Sequence, residues 1–474
     1  MSTTCTDVNL DEVLGPSLTE EQAREIYFQG VEAVVLALLA MARKLGALNA
    51  AKPAPTTPSA MIPGYQKPTT SRRRKTPGRK DGHLGSRRPT PERIDQRREH
   101  RAECCPHCRG PLQRCQETRT RYTEDIPGGI TPVVTEHTIH RDWCPQCKKL
   151  VEPVVPDALP KATLGNRTLV MTGWMHYGLG NTLSQIIDVF NFHLQLKLTP
   201  GGLVQSWGRL QEVLFPWYRQ IQEEALRAAV LHADETSWRV AGKTHWLWAF
   251  ANGDLTYYLI DRSRGEPALR KFFIDEFQGT LVSDFWGAYN AVVCAARQGC
   301  LVHLLRDLHT VDHYGRGGKQ WPEFAKKLRR LVGDAIRLWR QAELSPESRA
   351  SRRRRLDERL DELIAAPWQD AQAKRLLKRL RRHRNDLFMF LDQAGVPFDN
   401  NLAERAIRPA VIIRKNSYAN RSRRGADMQA VLMSIYRTLN QRGHNPLQTV
   451  TDAIAAYLKT GSLPPLPIKT TPDG

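Results

Sequence analysis

The sequence predicts a multidomain α+β protein built around a mixed α/β layer that a helical insertion interrupts. Its 474 residues are far more than one compact core accommodates, so about two to four folding units are expected. Near Ala228 the hydrophobic period switches from helical to strand-like. Long charged helical patterns over 320–395 then break the alternation of strands and helices that defines the layer.

Residues 1–50 carry an amphipathic helix over 17–48. Ser17 and Glu20 make a capping-box pattern at its start. Val31, Val34, Leu38, Met41, Leu45 and Leu48 follow on one face. That stripe suits a short parallel coiled coil and suits packing onto its own chain equally well. Residues 51–100 change character, with Pro, Thr and Ser first and then Arg72, Arg73, Arg74, Lys75, Arg79, Lys80, Arg87 and Arg88. Too little apolar surface is present to offset the entropy of ordering, which predicts a flexible basic linker. Its cations are candidate phosphate contacts, and Pro77-Gly78-Arg79-Lys80 is a segment of the kind that enters a minor groove. A plain solvated tether explains the same composition.

Residues 101–155 hold two C-P-x-C elements, Cys105 to Cys108 and Cys144 to Cys147. Two such turns aim four thiolates at one point, and tetrahedral sulfur suits a structural Zn²⁺. Thr118 to Glu124 and Thr131 to Trp143 alternate as strands would, which completes the outline of a zinc ribbon. Cys104, His107 and Cys115 are spare. The rival, redox chemistry, lacks any thioredoxin-like surroundings.

Residues 156–226 read as helices that link to DNA or to the next unit, with Leu164 to Phe192 rich in apolar and Gly positions and Trp207 to Leu226 periodic. Residues 227–440 form the layer itself. Val230 to Val240, Thr244 to Ala251 and Leu255 to Asp261 are strands, parted by Gly242 and by Asn252-Gly253. A helix over Pro267 to Phe277, a strand over Thr280 to Asp284 and a strand-like run near Cys300 to Leu304 follow. The insertion spans about 312–396 and carries Arg352 to Arg355 and Lys374 to Arg384, runs that suit solvated helix faces. Helices resume after Asp399 to about residue 460, and 441–474 ends the chain as a helix and a loose Pro-rich tail.

Three acids break these patterns. Asp234 interrupts Val230-Leu-His-Ala-Asp-Glu-Thr-Ser-Trp238, otherwise a core strand, so its carboxyl must be paired, neutral or metal-bound. Asp284 ends the apolar strand Thr280-Leu-Val-Ser-Asp-Phe-Trp286. Glu404 follows Asn400 and Asn401, either of which can cap a helix that places Glu404 in its first turn, with Arg408 one turn on. Singly, each has a bland reading: amide pairing for Asp234, a helix cap for Asp284, an ion pair with Arg408 for Glu404. Together they offer the hard oxygens that Mg²⁺ prefers. Two ions about 4 Å apart activate a nucleophile and steady a leaving oxygen.

Composition supports a polyanionic partner. Seventy Lys and Arg stand against 49 Asp and Glu, a net charge of +21, and the excess is clustered rather than spread. The most apolar early run, Val31 to Ala42, contains Glu32 and is too short to span a bilayer. Nine cysteines in so long a chain make no disulfide scaffold, which suggests a soluble protein of a reducing compartment.

In this order and context, the arm Lys75-Thr-Pro-Gly-Arg-Lys-Asp-Gly-His83, the four cysteines, His232-Ala-Asp-Glu-Thr236, Ser283-Asp284, His303-Leu-Leu-Arg-Asp-Leu308, Asn400-Asn-Leu-Ala-Glu-Arg-Ala-Ile-Arg-Pro409 and Arg414-Lys-Asn416 resemble the insertion sequence 66 family of bacterial transposases. The resemblance covers most of the chain. It implies an RNase H-like fold with a DDE triad, split by a helical insertion, and the triad falls on Asp234, Asp284 and Glu404. It implies two Mg²⁺ (or Mn²⁺) ions, cleavage at terminal inverted repeats and strand transfer into target. The implied partners are double-stranded DNA (element ends and target), further copies in a homodimer or larger synaptic oligomer, and accessory proteins of the same element, all in the bacterial cytoplasm at the nucleoid. Phe285-Trp286-Gly287 departs from the Gly-Tyr type continuation of many relatives and leaves the metal ligand intact. His303, Arg306, Arg408 and Lys415 are candidates to touch phosphate or support the acids. A structural role at a strand-to-helix junction fits His303 and Arg306 as well, and core packing fits Trp286 better than base stacking. Two alternatives share these residues: a metal-dependent nuclease that never joins strands, and a zinc-dependent DNA-binding protein without catalysis.

Overall fold

The computed structural model describes residues 130–470 apart from 342, together with 107–111, most of 20–39 and the single positions 94, 97 and 120. Contacts divide the chain into two units, Met1–Pro77 and Gly78–Gly474. In the first, helix α1 (Glu20–Phe28) opens with two acids, and Glu20 pairs with Arg24 one turn on at 2.8 Å. The single helix expected over 17–48 is interrupted at Gly30, whose φ of 103° suits only glycine. Val31, Val35, Leu38 and Leu39 are exposed. Ser17, Met41, Leu45, Leu48 and the basic arm with Arg72, Arg73, Arg74, Lys75, Arg79 and Lys80 lie outside the described residues.

The second unit begins with a small hairpin, β1 (Asp142–Cys144) paired antiparallel with β2 (Lys149–Val151). The strand expected from Thr131 is confined to those last residues; 131–141 is irregular, and Val133 and Val134 are fully in solvent. Alternation fixes a strand only where one face is buried. Thr118 to Glu124 falls almost wholly outside the described residues.

Helix α2 (Asn166–Gly173) runs into a wider π-helical turn, Trp174–Gly178. Helix α3 (Leu183–Asp188) starts at a capping box between Thr182 and Gln185. Helix α4 (Pro200–Leu226) is capped by Thr199 and buries Leu203, Trp207, Leu210, Leu214, Trp217 and Ile221 along one stripe.

The sheet follows: β3 (Val230–Val240), β4 (Lys243–Ala251), β5 (Thr256–Asp261), helix α5 (Glu266–Phe272), β6 (Phe277–Ser283) and β7 (Cys294–Gly299). Strand order is β5-β4-β3-β6-β7. The first three are antiparallel neighbours, while β6 and β7 run parallel to β3. The β3–β4 turn is Ala241-Gly242, both at positive φ, as a tight hairpin with matching twist requires. Helix α5 stops five residues short of the expected Phe277, which instead begins β6.

The run near Cys300 is a helix, not a strand: α6 (Leu301–His313) buries Leu301, Leu304, Leu308 and Val311 at helical spacing. The insertion consists of α7 (Trp321–Arg340), α8 (Pro346–Ala365), α9 (Ala371–Arg382) and a short turn at Met389–Asp392. Its leucines and Trp321, Phe324 and Trp368 form a core of their own, joined to the sheet through α6 and Val282. Arg353 bonds Asp392 at 3.0 Å, Arg359 bonds Asp334 at 2.8 Å and Arg384 bonds Asp361 at 2.7 Å, so many of its cations are spent internally.

The main core joins the sheet to α2–α5 and to α10 (Asn401–Ser417), α11 (Arg423–Gln441) and α12 (Pro446–Thr460). The tail expected to be loose is fastened through residue 470, since Trp217 donates to Pro464 O at 2.6 Å and Leu466 is buried. Among the described residues no helix is long and apolar enough to cross a membrane.

Candidate active site

Register brings the first two acids together. His232 of β3 pairs with Val282 of β6, and two residues further along each parallel strand stand Asp234 and Asp284. Along β3 side chains alternate with a period of two, so Asp234 points to the same side of the sheet as His232, and the Asp284 charge lies close enough to act on it. Asp284 lies one residue past β6, where its Oδ1 accepts from Trp286 N at 2.8 Å. Asp234 Oδ1 accepts from Glu235 N at 2.9 Å.

Glu404 arrives on α10. Asn400 stands at the cap position, yet its side chain is spent elsewhere: Nδ2 donates to Ala233 O at 2.8 Å, and Oδ1 meets His232 Nδ1 at 3.0 Å. Fully buried, Asn400 thus ties the start of α10 to β3 directly beside Asp234. Glu404 does not pair with Arg408. It faces His303 Nε2 at 3.6 Å and Arg306 Nη2 at 3.5 Å, both from the first two turns of α6. Nδ1 of His303 is buried with no hydrogen-bond partner. Burial, and then the neighbouring Arg306 cation, hold the His303 ring below the usual imidazole range.

Burial first, then the charges of Glu235, Asp284 and Glu404, push the Asp234 carboxyl well above its ordinary range. Glu235 is itself pushed to about 7 by burial and by Asp284, against the pull of Tyr289 and Arg264. Tyr289 donates to Glu235 at 2.7 Å, and Arg264 Nη2 lies at 3.0 Å. The Arg264 guanidinium sits between Trp246 (4.5 Å) and Trp286 (4.0 Å), while Trp286 Nε1 donates to Arg264 O at 3.2 Å. Trp286 is therefore a packing residue.

Among the described residues no three His, Cys, Asp or Glu side chains stand close enough to share a metal ion. Asp234, Asp284 and Glu404 are within electrostatic reach of one another rather than gathered on one point. The donor set nevertheless fits a hard divalent cation: clustered acids raise the pKa of a buried member, and bound positive charge would relieve that cost.

The other predicted residues are dispersed. Arg408 and Lys415 lie exposed on α10, further along from Glu404. At the hairpin, Cys147 N donates to Cys144 Sγ at 3.4 Å, which holds that thiol below its usual range. The residue after each C-P-x-C, Arg109 (φ 59°) and Lys148 (φ 50°), takes the same left-handed turn. Cys108, Cys144 and Cys147 are free thiols, and Cys105 lies outside the described residues.

Sequence reasoning missed Glu235, Arg264, Tyr289, His232 and Asn400 as parts of this site. The available signals were a second acid beside Asp234 on a core strand and an Asn-Asn pair at a helix start.

Comparison with known proteins places the chain in a family. A family model described as "Transposase IS66 family" matches residues 161–428, which include all three acids. Uncharacterized protein y4hP of Sinorhizobium fredii (strain NBRC 101917 / NGR234) is 22% identical over 410 residues, covering 78% of this chain and 73% of its own. Uncharacterized protein y4qI of the same organism is 25% identical over 275 residues, 49% of each chain.

Proposed function

The chain belongs to the transposase IS66 family, and on that premise we propose that it cuts DNA at its element's terminal inverted repeats and joins the freed 3′ ends to target DNA. Transposition acts on DNA, and a net charge of +21 suits that partner. The observation that carries the reading is that three carboxyls from distant segments come within electrostatic reach of one another. Asp234 lies on β3, Asp284 follows the end of the parallel strand β6, and Asn400 anchors the helix that brings Glu404. The order of one antiparallel trio followed by two parallel strands supports an RNase H-like layer.

Asp234, Asp284 and Glu404 would hold two Mg²⁺ or Mn²⁺ ions. The chemistry such ions supply when bound is polarisation of the phosphate and stabilisation of its attacking and leaving oxygens. His303 and Arg306 hold Glu404 in place, and Arg306, more than half exposed, is free to meet a phosphate as well. Trp286 and Arg264 wall the Asp284 side and keep Glu235 out of solvent. Cys105, Cys108, Cys144 and Cys147 would close on one Zn²⁺, a reading supported by the matched turns after each pair.

The test uses DNA ending in the terminal repeats, a target plasmid and Mg²⁺. Wild type should yield nicked ends and joined product. Asp234→Ala, Asp284→Ala and Glu404→Ala should each lose both while still binding DNA. Cleavage without joining would favour a nuclease, and full activity in any one variant would remove that acid from the site.

A further inference from the structure

At the far end of α10 lies a basic pocket that the cutting and joining chemistry does not use. It is open, about 530 Å³, and lined by Arg239, Gly242, Arg414, Tyr418, Asn420 and Arg421, together with Ala241. None of these lining residues is an acid. Arg239 donates to Gly242 O at 3.0 Å, and half-buried Arg414 bonds neutral oxygens, Thr236 Oγ1 at 3.0 Å and Ser237 Oγ at 2.9 Å. A desolvated guanidinium bonded to neutral groups leaves its charge uncompensated, which favours an incoming anion. Burial accordingly pulls Arg414 below the usual guanidinium range.

The walls are built rather than loose. Asn420 closes the loop onto β3: Ala241 N donates to Asn420 O at 3.0 Å, Asn420 N to Arg239 O at 3.1 Å, and Trp238 Nε1 to Asn420 Oδ1 at 2.7 Å. Tyr418 and Ala419 are successive non-glycine residues at positive φ (55° and 71°), and Ala241 sits at 49° across the pocket. Strain gathered in this way persists where surrounding bonds impose it and tends to mark functional ground. It turns the Tyr418 ring, 88% exposed, out at the rim.

Position selects the anion. Arg414 stands ten positions after Glu404 on the same helix, which continues through Pro409, a rise of about 15 Å. Duplex DNA advances about 3.4 Å per step along each strand, so α10 laid along a duplex would set the pocket roughly four steps from the acids. Exposed Arg408 and Lys415 lie on the helix between and beside them. We propose that this pocket grips a backbone phosphate of the DNA strand being processed, with Arg239, Arg414 and Arg421 as its cations and Tyr418 against the adjacent base. The proposal rests on the transposase reading for the identity of the DNA, while its test does not require catalysis.

The experiment measures anisotropy of a fluorescein-labelled short duplex with full-length protein over a salt series. Arg239→Ala/Arg421→Ala should weaken binding and lower the slope of log affinity against log salt by up to about 0.9, the value for one lost phosphate contact. Arg414 is left in place because its bonds to Thr236 and Ser237 also hold β3. Arg239→Lys/Arg421→Lys should retain most of the slope, and Tyr418→Ala should weaken binding without changing it. Arg354→Ala/Arg355→Ala on α8 removes the same charge from two exposed positions and serves as control. An unchanged slope in the first variant, or an equal loss in the control, overturns the pocket. Wild-type protein that shows the pocket-dependent slope but cuts no terminal-repeat DNA would sink the transposase chemistry alone.

Discussion

Asn400 shows how much of the site depends on one neutral side chain. It is fully buried and bonds β3 through Ala233 O and His232 Nδ1, while its backbone N meets Cys300 Sγ at 3.2 Å. It therefore joins β3, the start of α6 and the start of α10, the three elements that carry Asp234, His303 and Glu404. Asn400→Asp keeps the shape and replaces the Nδ2 donor with an oxygen facing Ala233 O. The expected result is a rise of about 10–100-fold in the Mg²⁺ concentration that half-saturates cleavage, as for other groups that orient metal ligands. Affinity for DNA should be unchanged. A variant with lower thermal stability but an unaltered Mg²⁺ titration would make Asn400 a structural residue alone. Glu235 illustrates the converse case. It stands beside Asp234, only 2% of its side chain exposed, with Arg264 and Tyr289 consuming its oxygens, so a neighbouring acid of the right type is already committed.

At the scale of elements, hairpins were legible and long-range pairing was not. β3, β4 and β5 lie within a residue of their expected spans because period-two alternation and Gly242 are local signals. The parallel pairing of β3 with β6, which sets Asp234 against Asp284, has no local signature. Leu301 to Leu304 read as a strand because a short apolar run has no period; the stripe continuing to Val311 makes it a helix. Glu235 and Arg264 meet across 29 residues, and His232 and Asn400 across 168, so neither pairing can be inferred from spacing. The hairpin β1–β2 lies between these cases. Its C-P-x-C turn was visible, but its exposed strands bury too little to hold themselves. An isolated two-stranded hairpin of that kind needs a clasp. One Zn²⁺ per chain should be found by elemental analysis after purification without chelators, since structural sites contribute about 10–16 kcal/mol in small zinc modules and survive dilution. Cys144→Ser should lower that content, and a metal-free wild type would remove the zinc ribbon.

Taken as a whole, the second unit is closed by its own end. Residues 461–470 run back across α4 and α11: Trp217 Nε1 bonds Pro464 O, Gln220 Oε1 accepts from Leu466 N at 3.0 Å, and Arg442 bonds Pro467 O at 2.7 Å. Thr470 N returns to Arg442 O at 3.0 Å, and Lys469 pairs with Asp254 at 2.7 Å beside the β4–β5 turn. The bonds to Trp217 and Gln220 span more than two hundred residues, and with those to Arg442 they join the helical segment before the sheet to the helices after it. Removing the segment after Thr460 would expose the space filled by Leu466, worth about 2 kcal/mol. It would also strip the nearly buried Trp217 indole of its acceptor, about 1–3 kcal/mol more. The surface pair of Lys469 adds little. A loss of about 3–5 kcal/mol should appear as a fall in Tm on the order of 4–6 °C for a unit of this size. Asp234, Asp284 and Glu404 are untouched by this truncation, so cleavage measured well below the new Tm should persist. An unchanged Tm would mean that the strap rests on the core without holding it, and that α4 and α11 are secured by their own packing.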